Sequence, residues 1–294
     1  MSAGFDGAVR VWDVETGSQE APFTDHVSVS VEDVVFLDDN LVASTGCLVR
    51  EGTKCVQSEV LIWSIEPRDV IRQLRVPLEP GDRDVLIGDL DASHDGSLLA
   101  GSSRDGIARI WNTESDEPPI EIGHDFWVEA VAFDRTGEVL ATGSRDPASV
   151  SMDAQIRLWN VKDGTPFERD FDGHPNWVTS VDFSPTESLL ASGGWKSETF
   201  LWRPVTGSQV GALETPDTAF VVAFGPSGEI VATGDSDDRV RLWSVSTHEL
   251  LGVLVGHGGG GADNGVNGVA FSSDGRTMAS TGSDGAVFIW VYRE

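Results

Sequence analysis

One glycine-rich stretch carries the residue types of two kinds of ligand site. Residues 256–265 read GHGGGGADNG, in which Gly256, Gly258 and Gly261 satisfy the G-x-G-x-x-G pattern of dinucleotide-binding loops. That pattern needs a helix N-terminus for the pyrophosphate, whereas the sequence that follows is typical of a strand. Residues 257–260 also spell the HGGG of an esterase oxyanion loop, but no G-x-S-x-G nucleophile elbow occurs in the sequence. We therefore interpret the stretch as a loop and predict no cofactor.

Two acidic clusters offer the oxygen ligands that Ca²⁺ prefers. They are DSDD at 235–238 and DLDASHD at 89–95, and neither has the spacing of an EF-hand loop. We expect both to be solvated turns, so no metal site is predicted. No two carboxylates are spaced so that general acid and general base roles follow. The sequence accordingly predicts no catalytic residue.

The charge balance limits the classes of partner. The chain has 48 acidic and 20 basic residues, for a formal net charge of −28. Nucleic acid and anionic membranes both require a basic patch, so neither is expected as a partner. The acidity indicates either a preference for basic partners or adaptation to salt. The apolar runs are too short to span a bilayer and the N-terminus lacks a signal-peptide pattern, so we expect a cytoplasmic protein.

Only two cysteines, Cys47 and Cys55, occur, eight positions apart. A disulfide that pins a loop is one interpretation, and a metal-binding pair is a weaker one because no histidine lies near. Two free thiols in a reduced cytoplasm are the interpretation that the sequence favours.

The strongest pattern is a repeat that covers the whole chain. A block ending in apolar-x-apolar-Trp recurs seven times at spacings of 41 to 51 residues. Segments such as VEAVAF and AQIRLWN alternate apolar and polar residues, and turns such as SHDG, DRTG, GPSG and SSDG separate them. This predicts an all-β chain of short strands. The seven block-closing tryptophans are Trp12, Trp63, Trp111, Trp159, Trp202, Trp243 and Trp290.

These blocks resemble the WD-repeat (WD40) β-propeller family. Gly-His pairs stand at 123–124, 173–174 and 256–257, each ahead of a strand, and several blocks end in Trp followed by Asp or Asn. The resemblance implies a structural hydrogen-bonded network of His, Ser or Thr, Asp and Trp within a blade. Two sets match it, and they are His124, Thr142, Asp153 and Trp159, and His257, Ser280, Asp284 and Trp290. We expect a prokaryotic source, and a fragment of a longer WD-repeat protein is one interpretation.

The resemblance also implies how the single domain, residues 1–294, is built. We expect four-stranded antiparallel blades, seven in number, with an incomplete closing blade that would allow self-association. The alternative is six blades plus a displaced N-terminal segment. Three blocks depart from the network, with Arg83 or Thr215 in place of the His and Lys196 in place of the Asp. We expect those blades to be looser.

Three tryptophans remain outside the repeat and predict a binding surface. In the family the loops that hold Trp127, Trp177 and Trp195 open on the top face around the central channel. Trp is enriched at interface hot spots, so we predict a non-catalytic scaffold that docks a peptide or protein there, with a basic partner suited to the acidic surround. For Trp127 and Trp177, packing within the scaffold is the simpler alternative. For the whole protein, the alternative roles are a propeller-fold hydrolase and a fragment without independent function. Further predicted contacts are Arg104, Met152 and Phe5.

Overall fold

The structure is a computed structural model that describes most of the chain. It covers residues 1–20, 22–23, 30–76, 84–145, 155–168, 171, 174, 177–195, 199–258 and 265–292. The ordered elements in these ranges are all β-strands, and none of the described residues forms a helix that could cross a membrane. The chain divides into two compact units, residues 1–140 with 160–165, and residues 141–159 with 166–294.

The first unit contains three complete antiparallel sheets. The smallest pairs β1 (Ser2–Ala3) with β2 (Val9–Arg10). The next has the order β3-β4-β5-β6, with strands Ser30–Phe36, Leu41–Glu51, Lys54–Ser64 and Asp69–Arg75. The third has the order β7-β8-β9-β10, with strands Ile87–Ala92, Leu98–Ser103, Ile107–Asn112 and Ile120–Gly123. Each sheet is a meander of neighbouring strands.

The second unit repeats the same meander. Two sheets have four strands, β14-β15-β16-β17 (Val178–Phe183, Leu190–Gly194, Thr199–Arg203, Ser208–Leu213) and β18-β19-β20-β21 (Ala219–Phe224, Ile230–Asp235, Arg239–Ser244, Leu250–Val255). A third has three, β22-β23-β24 (Val266–Phe271, Thr277–Gly282, Val287–Val291). The sheet β11-β12-β13 (Trp127–Phe133, Val139–Arg145, Ile156–Asn160) includes the point where the chain passes from one unit to the other.

The all-β prediction and its blade-like sheets are confirmed, but seven full blades are not. The described residues form six sheets of three or four strands, and a two-stranded sheet stands where a seventh was expected. Phe23 extends this small sheet through an isolated bridge to Val9, and Gln19 bridges Trp12. We count six blades because the β1-β2 sheet has only two strands, each two residues long.

The block-closing tryptophans explain why each short sheet is stable. Their indole N–H groups donate to a Ser or Thr hydroxyl of a neighbouring strand, at 2.7 to 3.1 Å in six blocks. The seventh, Trp111, faces Gly101, and its buried indole nitrogen has no hydrogen-bond partner among the described residues. Five of the tryptophans are at most 5% exposed, so a satisfied donor matters for burial.

The predicted turn glycines adopt the backbone conformation that tight hairpins require. Gly96, Gly137, Gly228 and Gly275 have φ between 69° and 72°. At Gly96 a Cβ atom would lie 2.2 Å from the carbonyl oxygen of Leu37, so that turn also packs too closely for a side chain.

The favoured interpretation of the cysteines as free thiols is wrong. Cys47 of β4 and Cys55 of β5 form a disulfide across a hairpin, with 5.7 Å between their Cα atoms. Both side chains are buried against Leu86. The hairpin is longer than those of the other sheets, and its extension beyond the other hairpins carries both cysteines near the turn at Gly52, where Cys47 pairs with Ser58 and Cys55 with Arg50 in the strand register.

Candidate functional site

The His257 network has the geometry that the sequence predicts. His257 Nδ1 lies 3.1 Å from Asp284 Oδ1, and His257 Nε2 lies 2.8 Å from Ser280 Oγ. The Trp290 indole donates to the same Ser280 hydroxyl at 2.9 Å. Burial acts to raise the pKa of Asp284, but hydrogen bonds from the Ala286 N–H, His257 and the Gly258 N–H outweigh it and hold that pKa below its ordinary value.

This order of Ser, His and Asp is also that of a hydrolase triad, but the environment does not suit a nucleophile. Ser280 is 1% exposed, so a substrate carbonyl has no access to its oxygen. The hydroxyl is in addition held by both His257 and Trp290. The His of the HGGG motif therefore belongs to a structural network. Residues 259–264 of the glycine-rich stretch lie outside the described residues.

The second predicted network is seen in part. The Trp159 indole donates to Thr142 Oγ1 at 2.9 Å. His124 Nδ1 lies 3.1 Å from the carbonyl oxygen of Ile122. Asp153 lies outside the described residues, as do Arg83 and Lys196, so the predictions for those positions stay predictions.

Where the histidine is missing, an arginine four residues after the turn aspartate takes over. Asp105 binds Arg109 at 2.8 Å, with both side chains at most 1% exposed. Asp237 binds Arg241 at 2.7 Å, in the blade that has Thr215 in place of the His. The expectation that such blades are looser overlooked this replacement. The short β1-β2 sheet has the same pair, and hydrogen bonding from Arg10 lowers the pKa of Asp6.

The two acidic clusters are only in part the solvated turns that the sequence predicts. Asp95 is exposed in a turn and residues 236–238 form another, whereas the other carboxylates make contacts within the fold. Asp89 Oδ2 accepts the Val131 N–H at 2.8 Å, and Asp91 Oδ2 accepts the Phe133 N–H at 2.6 Å, so both carboxylates join β7 to β11. Asp235 is fully buried and bound by Arg241. No three His, Cys, Asp or Glu side chains in the described ranges are arranged to hold a metal ion.

Burial controls the protonation of the carboxylates that join strands. It raises the pKa of Asp91 to about 7, although hydrogen bonds from the Phe133 and Ala92 N–H groups oppose it. It raises the pKa of Asp33, whose Oδ2 accepts the Leu90 N–H at 2.8 Å, to about 6. Burial, and then repulsion from Asp33, raises the pKa of Asp89 well above its ordinary value. Asp33 and Asp91 therefore titrate near neutrality rather than near pH 4, and the pKa of Asp89 is raised in the same direction.

In the first unit, Trp127 lies beside an arginine. The Cζ of Arg104 is 5.3 Å from the centre of the Trp127 ring, within the range of a cation–π contact. Arg104 Nη1 also lies 3.6 Å from Asp84 Oδ2. Two of the predicted contact residues, Arg104 and Trp127, are thus brought together, and both are half-buried.

In the second unit, Trp177 and Trp195 stand in one aromatic row. Their ring centres are 5.7 Å apart, and Trp195 continues the row to Phe220 at 6.4 Å. The Trp195 N–H donates to the carbonyl oxygen of Trp177 at 2.9 Å. The Cζ of Arg145 lies 5.1 Å from the Trp177 ring centre. We call the rings of Trp177, Trp195 and Phe220, together with the adjacent Arg145, the aromatic row.

Sequence reasoning missed Arg145 and Phe220, although the sequence held a signal for the first. Arg104 and Arg145 both occur as Ser-Arg-Asp at the end of a second strand, and each contacts a Trp at the start of a later first strand. Of the remaining predicted contacts, Phe5 is 79% exposed and Met152 lies outside the described residues.

Comparison with protein families gives a match that agrees with these sheets. The family described as "WD domain, G-beta repeat" matches residues 79–112, 118–160, 166–203, 207–244 and 248–291, about two thirds of the chain. Each of the five matched segments ends one residue after a block-closing Trp.

Individual relatives are distant and eukaryotic. The chain is 27% identical over 258 residues to "Nuclear distribution protein nudF" of Aspergillus niger, which covers 79% of the chain and 54% of that protein. It is 28% identical over 193 residues to "Apoptotic protease-activating factor 1" of Rattus norvegicus, covering 64% of the chain and 15% of that protein. The chain spans about half the length of the fungal relative. These matches give no support to the prokaryotic source expected from the sequence.

Proposed function

Because the chain belongs to the WD domain, G-beta repeat family, we propose that it is a non-catalytic scaffold that docks a peptide or protein partner through its surplus tryptophans. Two patches are candidate contact surfaces. One is Arg104 with Trp127 in the first unit, and the other is the aromatic row in the second unit. Tryptophan suits such a role because it buries a large area and loses little side-chain entropy.

The observation that carries the proposal is the unsatisfied indole donor of Trp177. Its ring is half-buried, yet its indole nitrogen is buried and has no acceptor among the described residues. The repeat tryptophans of six blocks, including the block that holds Trp177, all donate to a Ser or Thr. A docked peptide that displaces the groups covering this nitrogen would supply a backbone carbonyl as the missing acceptor.

The partner that best complements this surface is a segment with an apolar anchor. Trp195 and Phe220 offer apolar ring area beside the unsatisfied Trp177 donor. With a net charge of −28, the chain would attract basic flanks on that segment at long range. Binding should therefore weaken as salt concentration rises.

Capture of partners by the purified chain tests the proposal. We expect Trp177→Ala and Trp127→Ala to reduce capture from a cell extract at least tenfold while leaving the melting temperature within a few degrees of the wild type. Tyr292→Ala is the matched control, because it removes an aromatic ring that is 72% exposed and outside both patches. Equal capture by all three variants, or loss of capture only together with the melting temperature, would refute the proposal.

We further propose that the complete fold has seven blades and that the strand β24 is an open edge at which copies associate. The three-strand sheet that ends in β24 supports the open edge, since Trp290 is more exposed than the corresponding Trp243 at 3%. The β1-β2 sheet, with its Trp12–Ser2 hydrogen bond, supports the seventh blade. Gel filtration across a concentration series is the test. A monomer at every concentration would exclude self-association.

A further inference from the structure

The β4-β5 hairpin is irregular next to its disulfide. The strand register shifts twice, between Cys47 and Val49 and between Val49 and Arg50. A shifted register interrupts the ladder of backbone hydrogen bonds and leaves an unpaired residue. The Cys47–Cys55 bond crosses the hairpin at this point. It is therefore the covalent tie between the two strands where the ladder is weakest.

The hairpin tip holds the segment that begins at Asp84. The Cys55 N–H donates to Asp84 Oδ1 at 3.0 Å, and the Cys55 carbonyl oxygen accepts the Val85 N–H at 2.8 Å. The two sulfur-bearing side chains also pack on Leu86. Three contacts thus fix residues 84–86 to the disulfide.

The same segment fixes Arg104, and Arg104 faces Trp127. Asp84 Oδ2 lies 3.6 Å from Arg104 Nη1, and the Arg104 N–H donates to the Leu86 carbonyl oxygen at 3.2 Å. The guanidinium then lies 5.3 Å from the Trp127 ring centre. A continuous series of contacts in the first unit therefore runs from the disulfide to the first docking patch.

We propose that the Cys47–Cys55 disulfide is a redox-sensitive anchor that sets the position of Arg104 against Trp127. The part of this proposal that concerns docking rests on the proposed function. In the oxidised chain, Asp84 is held on the Cys55 amide and restrains the Arg104 guanidinium beside the indole. In the reduced chain the hairpin tip loses its tie, residues 84–86 lose their fixed support, and the Arg104 guanidinium leaves the ring.

The reduction is a two-electron exchange with a dithiol. One thiolate of the dithiol attacks a cysteine sulfur, the Cys47–Cys55 bond breaks, and a mixed disulfide and one free thiolate form. The second thiol of the reductant then displaces the other cysteine, so the reductant ends as a disulfide and the protein as two protonated thiols. Both sulfurs are buried, so attack requires the exposed tip at residues 50–53 to open first.

Hydrogen exchange of the purified chain tests the linkage without any partner. It is measured before and after treatment with dithiothreitol, and in the double variant Cys47→Ser with Cys55→Ser. We expect exchange at the amides of Val85, Leu86 and Arg104 to rise on the order of tenfold, both in the reduced chain and in the double serine variant. Strand β20 in the second unit, Arg239–Ser244, is the internal control and should not change.

Asp84→Asn separates the anchor from the rest of the hairpin. It keeps the disulfide and an oxygen for the Cys55 N–H but weakens the contact with Arg104. We expect faster exchange at Arg104 and unchanged exchange across β4 and β5. Since this variant does not alter a cysteine, it also serves if the double serine variant fails to fold.

The outcomes discriminate between the two proposals. Faster exchange at residues 84–86 and 104 on reduction supports the anchor, and unchanged exchange at Arg104 overturns it whether or not the hairpin opens. Capture by the oxidised and reduced chains then reports on docking alone. A linked Arg104 with equal capture in both states would reject the Trp127 patch as a docking site and leave the anchor intact.

Discussion

Replacing Asp91 with asparagine should stabilise the protein at pH 8 and stabilise it less at pH 5. Asp91 Oδ2 accepts the Phe133 N–H at 2.6 Å, and an asparagine oxygen can accept the same bond. What the substitution removes is the carboxylate charge. Burial, with smaller repulsion from Asp33, makes that charge unfavourable in the folded chain, as the pKa of about 7 records.

The magnitude follows from the pKa. A rise from 3.8 to about 7 corresponds to at most about 4 kcal/mol of folding free energy when the carboxylate is fully ionised. Asp91 keeps some contact with solvent, so we expect about 2 kcal/mol. The folded chain binds this proton more tightly than the unfolded chain does. The free energy of unfolding therefore falls as pH rises from about 4 to about 7, and the variant escapes that loss.

Urea unfolding of the wild type and the Asp91→Asn variant at pH 5 and pH 8 measures the effect as a shift in midpoint. The control is Asp39→Asn, which removes the same charge from an exposed turn before β4. We expect Asp91→Asn to raise the midpoint more at pH 8 than at pH 5. For Asp39→Asn we expect the same small shift at both pH values, from the general loss of one negative charge. Equal shifts for the two variants at both pH values would refute the argument that Asp91 is a buried charge.

Other substitutions test the elements that hold the sheets. Ser192→Ala leaves a buried indole N–H without an acceptor and should cost about 1–3 kcal/mol by urea unfolding. Arg109→Met leaves the buried Asp105 carboxylate unpaired and should cost about 3–5 kcal/mol, with partial recovery when Asp105→Asn is added. Gly96→Ala should lower the melting temperature more than Gly17→Ala, because both have positive φ but only Gly96 has a backbone atom in the way.

Features that repeat along the chain could be predicted from the sequence. The spacing of the Trp blocks predicts the sheets, the Gly of each turn predicts its backbone conformation, and His257 with Asp284 predicts the network that is found. Each of these is local to one block, or recurs at the same place in several blocks. Patterns of that kind can be recognised without coordinates.

Features that join one block to the next could not be predicted. Asp89 and Asp91 read as a solvated cluster because their partners, Val131 and Phe133, lie 42 residues further along the chain. The disulfide was one interpretation of the sequence but not the favoured one, for a different reason. A separation of eight residues is compatible with several loops, and only the long, irregular hairpin brings Cys47 and Cys55 within bonding distance.

The aromatic row could be predicted only in part, because one of its members lies on a neighbouring sheet. Trp177 and Trp195 are visible as surplus tryptophans, whereas Phe220 is one apolar residue in a strand of apolar residues. Its contact with Trp195 depends on the packing of two neighbouring sheets.

Photo-crosslinking from the aromatic row tests the central claim most directly. A benzoylphenylalanine at position 220 places the reactive group beside Trp195, and the same residue at position 292 is the exposed control. If a partner docks on the aromatic row, irradiation in cell extract yields a discrete adduct from position 220 that disappears when Trp177→Ala is added. Adducts of the same kind and yield from both positions, unaffected by Trp177→Ala, would contradict docking at this site.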